Sequence, residues 1–292
     1  MTSTPILGRL STALAVATLV SLVSGALIAG VGSPLGLSAA HSPWLRLHNL
    51  AAGAVIGLAL ITVAKLLQSD VRKWLKSAGL VFLALLAATA LLGMLPRGAA
   101  TGVAHAVSSH VLFALAVLLS LGTSPGWNRA AAPMIDRGWP SLRSLAWLTP
   151  VAVLVQIGLG AGFRYQALSS MPHAAWAFPA MLIILMLAAF TLSAASPDEH
   201  AELRKASIAL MTLVCIQLIL GVVAFLARMD PPLTFLPVDA LAALRATHLG
   251  TGALVFGFTV ALSAQILRCA VPVALSEPAQ ASEQWVGNGR RK

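Results

Sequence analysis

The positions of the histidines are the first feature of this chain that suggests chemistry. Seven histidines occur in the 292 residues. Four of them each lie near the start of an apolar stretch, in every second stretch along the chain; these four repeat histidines are His48, His105, His173 and His248. Imidazole inside an apolar segment usually faces a bundle interior or a cavity, and neutral imidazole is a common metal ligand. Four such positions predict a shared role as ligands.

The stretches that position these histidines are predicted to be membrane-spanning helices. The chain is 58% hydrophobic and 10% charged, with a mean hydropathy of +0.88, whereas soluble domains contain about 25% charged residues. Eight apolar stretches have the length of about 20 residues that crosses a bilayer. They cover residues 10–29, 47–67, 74–95, 104–121, 142–163, 173–193, 203–226 and 247–267. Because backbone groups in lipid must bond within their own segment, we expect an all-α membrane protein with no separate soluble domain.

The net charge of +10 is mostly a signal of orientation. Of the 19 Lys and Arg residues, 14 fall on the side that carries both termini and only 5 on the other. Basic loops favour the cytoplasm, so we expect a multi-pass protein of the inner (cytoplasmic) membrane with both termini cytoplasmic and no nucleic-acid partner. The first stretch is longer than a signal-peptide core, which predicts that it is retained.

A second repeated pattern lies on the odd-numbered stretches. A polar residue is followed four residues later by glycine, as Ser21 and Gly25, Thr89 and Gly93, Gln156 and Gly160, and Gln217 and Gly221. Together with the histidines this predicts two tandem four-helix bundles, residues 1–121 and 142–268, joined by a cytoplasmic linker at 122–141 and followed by a tail at 269–292. An even number of spans per unit predicts a pseudo-twofold axis along the membrane normal.

Two imidazoles that project inward from the second and fourth helices of one bundle can ligate a b-type haem iron axially. We name His48 and His105 the first pair, and His173 and His248 the second pair. His110 is about 140° around its helix from His105 and cannot reach the same iron, and His41 is expected in a solvated loop. A zinc site is the competing interpretation, but it would need three or four converging ligands.

Arginines on the histidine side of the membrane are candidates for binding haem propionates, because guanidinium pairs with carboxylate in a bidentate manner. The candidates are Arg46, Arg97, Arg164 and Arg245. The alternative is that they only stabilise the membrane interface.

These features resemble the heme A synthase family. The resemblance covers residues 10–267 and depends on the eight helices, the Gln-x-x-Leu-Gly motifs, the segment from Gly160 to Arg164 and the four histidines. It implies a resident haem b on the second pair and haem O as substrate on the first pair, with a haem methyl group oxidised to formyl through successive hydroxylations. It also implies a membrane or haem electron donor, and haem O synthase and cytochrome oxidase assembly proteins as partners.

Two positions depart from the family pattern. Leu45 stands where the family carries a glutamate, three residues before the first histidine, and the loop at 32–46 lacks a cysteine pair. No catalytic residue is assigned. A non-catalytic dihaem b-type cytochrome and a haem-delivery or assembly factor therefore stay open as alternatives.

Overall fold

The computed structural model describes residues 5–31, 43–96, 98–129, 131–136, 138–227 and 236–272. Within these ranges the chain forms eight long helices: α1 (Pro5–Val31), α2 (Pro43–Gln68), α3 (Lys73–Met94), α4 (Ala99–Thr123), α5 (Leu142–Arg164), α6 (Ser170–Ala194), α7 (Ala201–Leu226) and α8 (Val238–Cys269). A one-turn helix, Pro125–Asn128, follows α4. Two short strands, β1 (Met134–Asp136) and β2 (Ala270–Pro272), complete the described elements.

All eight long helices have the length and apolar composition needed to cross a membrane, which confirms the prediction of a multi-pass, nearly all-helical membrane protein. Their outer surfaces expose large apolar side chains, including Leu50 at 74% and Met94 at 81%. Such surfaces suit lipid and would be costly in water. Hydroxyl side chains within the spans bond carbonyls of their own helix, as Thr89 Oγ1 does to Leu85 at 2.8 Å.

The helices start earlier on the histidine side than the apolar stretches predicted. α4 begins at Ala99 rather than 104, and α8 begins at Val238 rather than 247. Polar residues such as Asp239 and Arg245 interrupt the apolar pattern without ending the helix, since backbone hydrogen bonding continues through them. The repeat histidines therefore lie three to ten residues after the first residue of their helices.

The helices pack in two similar sets. In α1–α4 each helix packs on the next and α1 packs on α4, and α5–α8 repeat this arrangement. Between the sets, α8 packs on α1 and α4, and α4 packs on α5. Buried side chains form one cluster within α1–α4 and a second mainly within α5–α8, while Leu22, Phe113 and Ala253 join the two sets.

The linker between the two sets contains regular structure that the sequence did not predict. β1, inside the predicted loop at 122–141, pairs in parallel with β2, which opens the predicted tail, and Ile135 lies opposite Val271. Arg143 extends this contact by donating through Nη1 to the carbonyls of Leu267 and Ala270, each at 3.2 Å. A three-residue strand is too short to leave a sequence pattern, so this pair of strands was not predicted, and the fold remains nearly all helical.

Candidate functional site

Three of the repeat histidines bond in the same way to the helix that precedes them. The Nδ1 atom faces a backbone carbonyl at 2.8 Å for His48 and Ser21, 3.0 Å for His105 and Thr89, and 3.2 Å for His173 and Gln156. A carbonyl oxygen can only accept a hydrogen bond, so Nδ1 must carry the proton. The lone pair of each neutral imidazole then lies on Nε2, the state in which histidine ligates a metal.

A glycine four residues after each of these three carbonyl positions makes room for the imidazole ring, and Gly221, four residues after Gln217, does the same for His248. A Cβ atom added to the glycine would lie only 2.8 to 3.2 Å from Cε1 of the histidine, for the pairs Gly25 and His48, Gly93 and His105, Gly160 and His173, and Gly221 and His248. We name these four residues the cradle glycines. Positions four apart share one helix face, so the carbonyl and the cradle glycine hold the ring together.

The two repeated sequence patterns are thus two parts of one motif. The polar residue and glycine on each odd-numbered helix receive the histidine of the next helix. From the sequence, the pattern of a polar residue and a glycine was interpreted only as a mark of duplication, and its contact with the histidine was not predicted. The signal that could have found it was the constant four-residue spacing, which places both positions on one face.

The fourth histidine differs in its hydrogen bonding. His248 Nδ1 forms no hydrogen bond of ordinary geometry, and its Nε2 lies 3.3 Å from the side-chain amide nitrogen of Gln217. Gln156 instead directs its amide to the backbone carbonyl of His173 at 3.1 Å. The Oε1 atoms of both glutamines are buried without a hydrogen-bond partner. Since buried polar atoms are normally satisfied, these unpaired atoms are consistent with a further group bound at the second pair.

The second pair has the spacing of two ligands on opposite sides of one metal ion. The ring centroids of His173 and His248 are 6.4 Å apart and their planes are at 87°. With a metal–nitrogen distance of about 2.0 Å and about 1.1 Å from nitrogen to ring centre, two collinear imidazoles would have centroids about 6.2 Å apart. This separation would let His173 and His248 hold one metal ion between them, and it is also within the range of a direct edge-to-face ring contact.

The arginines predicted near the histidines occupy different environments. Arg164 is half-buried, and its Nη2 donates to the carbonyl of Ala26 on α1 at 2.9 Å. Arg245 lies three residues before His248 on the same face of α8, with a buried Nε atom. Arg46 is exposed, and its position two residues before His48 lies on nearly the opposite helix face. Arg97 and His41 lie outside the described residues.

The other described histidines do not join the two pairs. His110 is 5% exposed and bonds through Nδ1 to the carbonyl of Ala106 on its own helix at 2.7 Å. His200 lies at the opposite end of the helices, where Nδ1 accepts from the Ser196 amide and Nε2 is 3.2 Å from the carbonyl of Ala132. His200, directly before α7, therefore connects the linker to the start of this helix through its ring nitrogens.

Acidic ligands are scarce around the histidines. The described ranges contain no group of three or more His, Cys, Asp or Glu side chains that could hold a metal ion, and zinc requires that number. Leu45 lies in the first turn of α2, and the neighbouring Asn49 is exposed. Among the described acidic residues, only the exposed Asp239 lies toward the histidine end of a helix.

No protein-family model matches the chain, and no curated protein matches it at a significant level. The function of the site therefore has to be inferred from its residues and their geometry.

Proposed function

We propose that this protein is an integral membrane haem protein in which His173 and His248 ligate a resident haem b. The geometry of that pair carries the proposal, because a centroid separation of 6.4 Å would let the two imidazoles hold one haem iron between them. The protonated Nδ1 of His173 supports it further, since a bonded Nδ1–H fixes the ring and leaves Nε2 as the ligand.

The first pair forms a second haem pocket of the same design. His48 and His105 bond to backbone carbonyls and lie against Gly25 and Gly93 as His173 does against Gly160. The helix contacts support a tandem repeat. If α1, α2, α3 and α4 are exchanged with α5, α6, α7 and α8, respectively, each principal contact between helices corresponds to a contact that is also present. The contact of α4 with α8 corresponds to itself. Two bundles related by an axis along the membrane normal would have this property.

We further propose that the protein acts as a heme A synthase-like oxidoreductase, with haem O as the substrate on the first pair. Its methyl group would be oxidised to formyl through successive hydroxylations for cytochrome oxidase assembly, with dioxygen as the oxidant, electrons from a membrane or haem donor, and water as the other product. The resident haem would supply electron transfer. The protein would lie in the cytoplasmic membrane with both termini cytoplasmic, beside haem O synthase and oxidase assembly proteins.

The chain's own residues would bind and orient the substrate rather than exchange protons with it. His48 and His105 would fix the ring at its centre, and Arg164 and Arg245 would bind propionates on the histidine side. Leu45 offers no group for proton transfer, so we assign no acid or base to the reaction.

The test is chromatographic identification of haems extracted from membranes that contain this protein together with a supply of haem O. We expect haem A or its hydroxylated precursor. His48→Ala should abolish that product while the haem b spectrum of the second pair is retained. Recovery of only haems B and O from haem-loaded protein would contradict the enzymatic proposal.

A non-catalytic dihaem b-type cytochrome or a haem-delivery factor is the second candidate. The observation that favours it is Leu45 together with the scarcity of described carboxylates around the first pair. All four repeat histidines lie toward one side of the membrane, so a cytochrome of this design would not carry electrons across it.

A further inference from the structure

The turn between α5 and α6 inserts two residues of the second helix set beside the first pair. Arg164 bonds to the carbonyl of Ala26 at 2.9 Å, and Ala26 directly follows Gly25, the cradle glycine of His48. The next residue, Tyr165, lies against α4 at Gly102. A Cβ atom at Gly102 would be 2.4 to 2.8 Å from three atoms of the Tyr165 ring. The ring therefore lies directly on the backbone of α4.

The contact on α4 is one turn from a ligand of the first pair. Gly102 precedes His105 by three residues, and at 100° per residue the two positions are about 60° apart around the helix. Gly102 is about 80° from the buried His110 on its other side. Tyr165 thus lies at the edge of the first pocket, between the face of α4 that carries His105 and the face of α4 that packs on α5.

The turn that holds Tyr165 is tightly built. Ala167 and Leu168 both donate to the carbonyl of Gly162, at 2.8 and 3.1 Å. The Leu168 side chain packs on Gly162, where a Cβ atom would be 2.7 Å from it. Gln166 adopts a φ of 60°, a left-handed conformation that is unfavourable for a residue with a side chain. Such strain persists only where the surroundings fix the backbone.

We propose that Tyr165 lines the pocket of the first pair and packs against the macrocycle held between His48 and His105. An aromatic ring suits the flat apolar edge of a tetrapyrrole. The first pocket is then completed by a residue of the second helix set. This inference rests on the proposed function, because it requires a haem at the first pair.

The most direct test uses the fact that Tyr165 is the only tyrosine in the chain. Protein labelled with 3-fluorotyrosine will give a single fluorine resonance. Oxidised low-spin haem is paramagnetic, so haem at the first pair should shift and broaden this resonance, and reduction to the diamagnetic form should reverse the effect. We expect the effect to persist in His173→Ala and to disappear in His105→Ala.

The results that would contradict the position of Tyr165 differ from the result that would contradict the proposed function. An unchanged resonance while the first pair is loaded would overturn the inference, as would an effect that depends on His173 instead of His105. Haem content is read by absorbance on the same samples. Absence of haem from the wild-type protein would refute the proposed function itself.

Two glycine variants provide an independent test. Gly102→Ala should displace Tyr165 and weaken haem binding at the first pair about tenfold. Gly158→Ala is the matched control, because a Cβ atom there meets nothing within 4 Å. Tyr165→Phe should retain affinity and Tyr165→Ala should lose it. Equal affinity in all four variants, or equal loss from both pairs in Gly102→Ala, would contradict the proposal.

Discussion

Gly160→Ala is the sharpest test of how the second pair is held. The added Cβ atom would lie 2.8 Å from Cε1 and 3.1 Å from Nδ1 of His173, whereas ordinary contacts begin at 3.4 Å. The ring must therefore move by about 0.6 Å. Its Nδ1 is already 3.2 Å from the Gln156 carbonyl, so a shift away from α5 breaks that hydrogen bond.

The magnitude follows from the cost of overpacking a well-packed site, about 1 to 3 kcal/mol. If this cost falls on the haem-bound state, affinity decreases about 5- to 150-fold. Gly25→Ala should have a smaller effect on the first pair, because its Cβ atom would be 3.2 Å from the His48 ring. Gly158→Ala, two residues away on the same helix as Gly160, should leave haem affinity unchanged.

The assay is a haem titration followed by absorbance in a variant that lacks His48 and His105, so that the absorbance change measures haem binding at the second pair alone. Equal dissociation constants for Gly160→Ala and Gly158→Ala would refute the reasoning. That result would mean that His173 does not press on Gly160 when haem is bound.

Three further predictions concern the ligands, the junction between the helix sets and the linker. His173→Ala and His248→Ala should each remove the bis-histidine haem b spectrum, and a normal spectrum in both would exclude this pair as the ligands. Arg164→Gln loses a charged hydrogen bond to α1 and should lower the thermal unfolding midpoint by about 5 °C. Substitution of the exposed Arg46 by Gln is the control. Equal midpoints for the two variants would contradict a stabilising role for the hydrogen bond between the two helix sets. Asp136→Ala removes two side-chain acceptors in the linker, for the backbone amides of Gly138 and Arg143, and should destabilise the protein by about 1 kcal/mol, measured by denaturant unfolding, with the haem spectrum unchanged; an altered spectrum would contradict the independence of the linker from the histidine site.

The sequence was sufficient to predict the spans because lipid imposes a length and an apolar composition that each helix must satisfy alone. The four repeat histidines also stand out in the sequence, since imidazole is uncommon in an apolar stretch, and their role as ligands stays a prediction. Helix ends were harder to predict. Asp239 and Arg245 interrupt the apolar pattern of α8, but a helix near the membrane surface tolerates charge while its backbone bonds continue.

Contacts between distant segments could not be predicted from local pattern. Nothing near Tyr165 indicates that its ring lies on Gly102, because that contact depends on how α4 packs on α5. The pairing of β1 with β2 likewise joins segments more than 130 residues apart. The cradle glycines are the intermediate case: Gly25 and Gly160 were visible as a repeat, but their purpose required the histidine from the next helix.

The central claim is that His173 and His248 are the two axial ligands of one haem. Low-temperature EPR of the purified, oxidised protein tests it most directly. Two imidazole ligands predict a low-spin signal, and planes at 87° predict a strongly axial one with a large principal g value. The signal should disappear in His248→Ala. A high-spin signal in the wild-type protein, or a rhombic signal typical of parallel imidazole planes from this pair, would contradict the account.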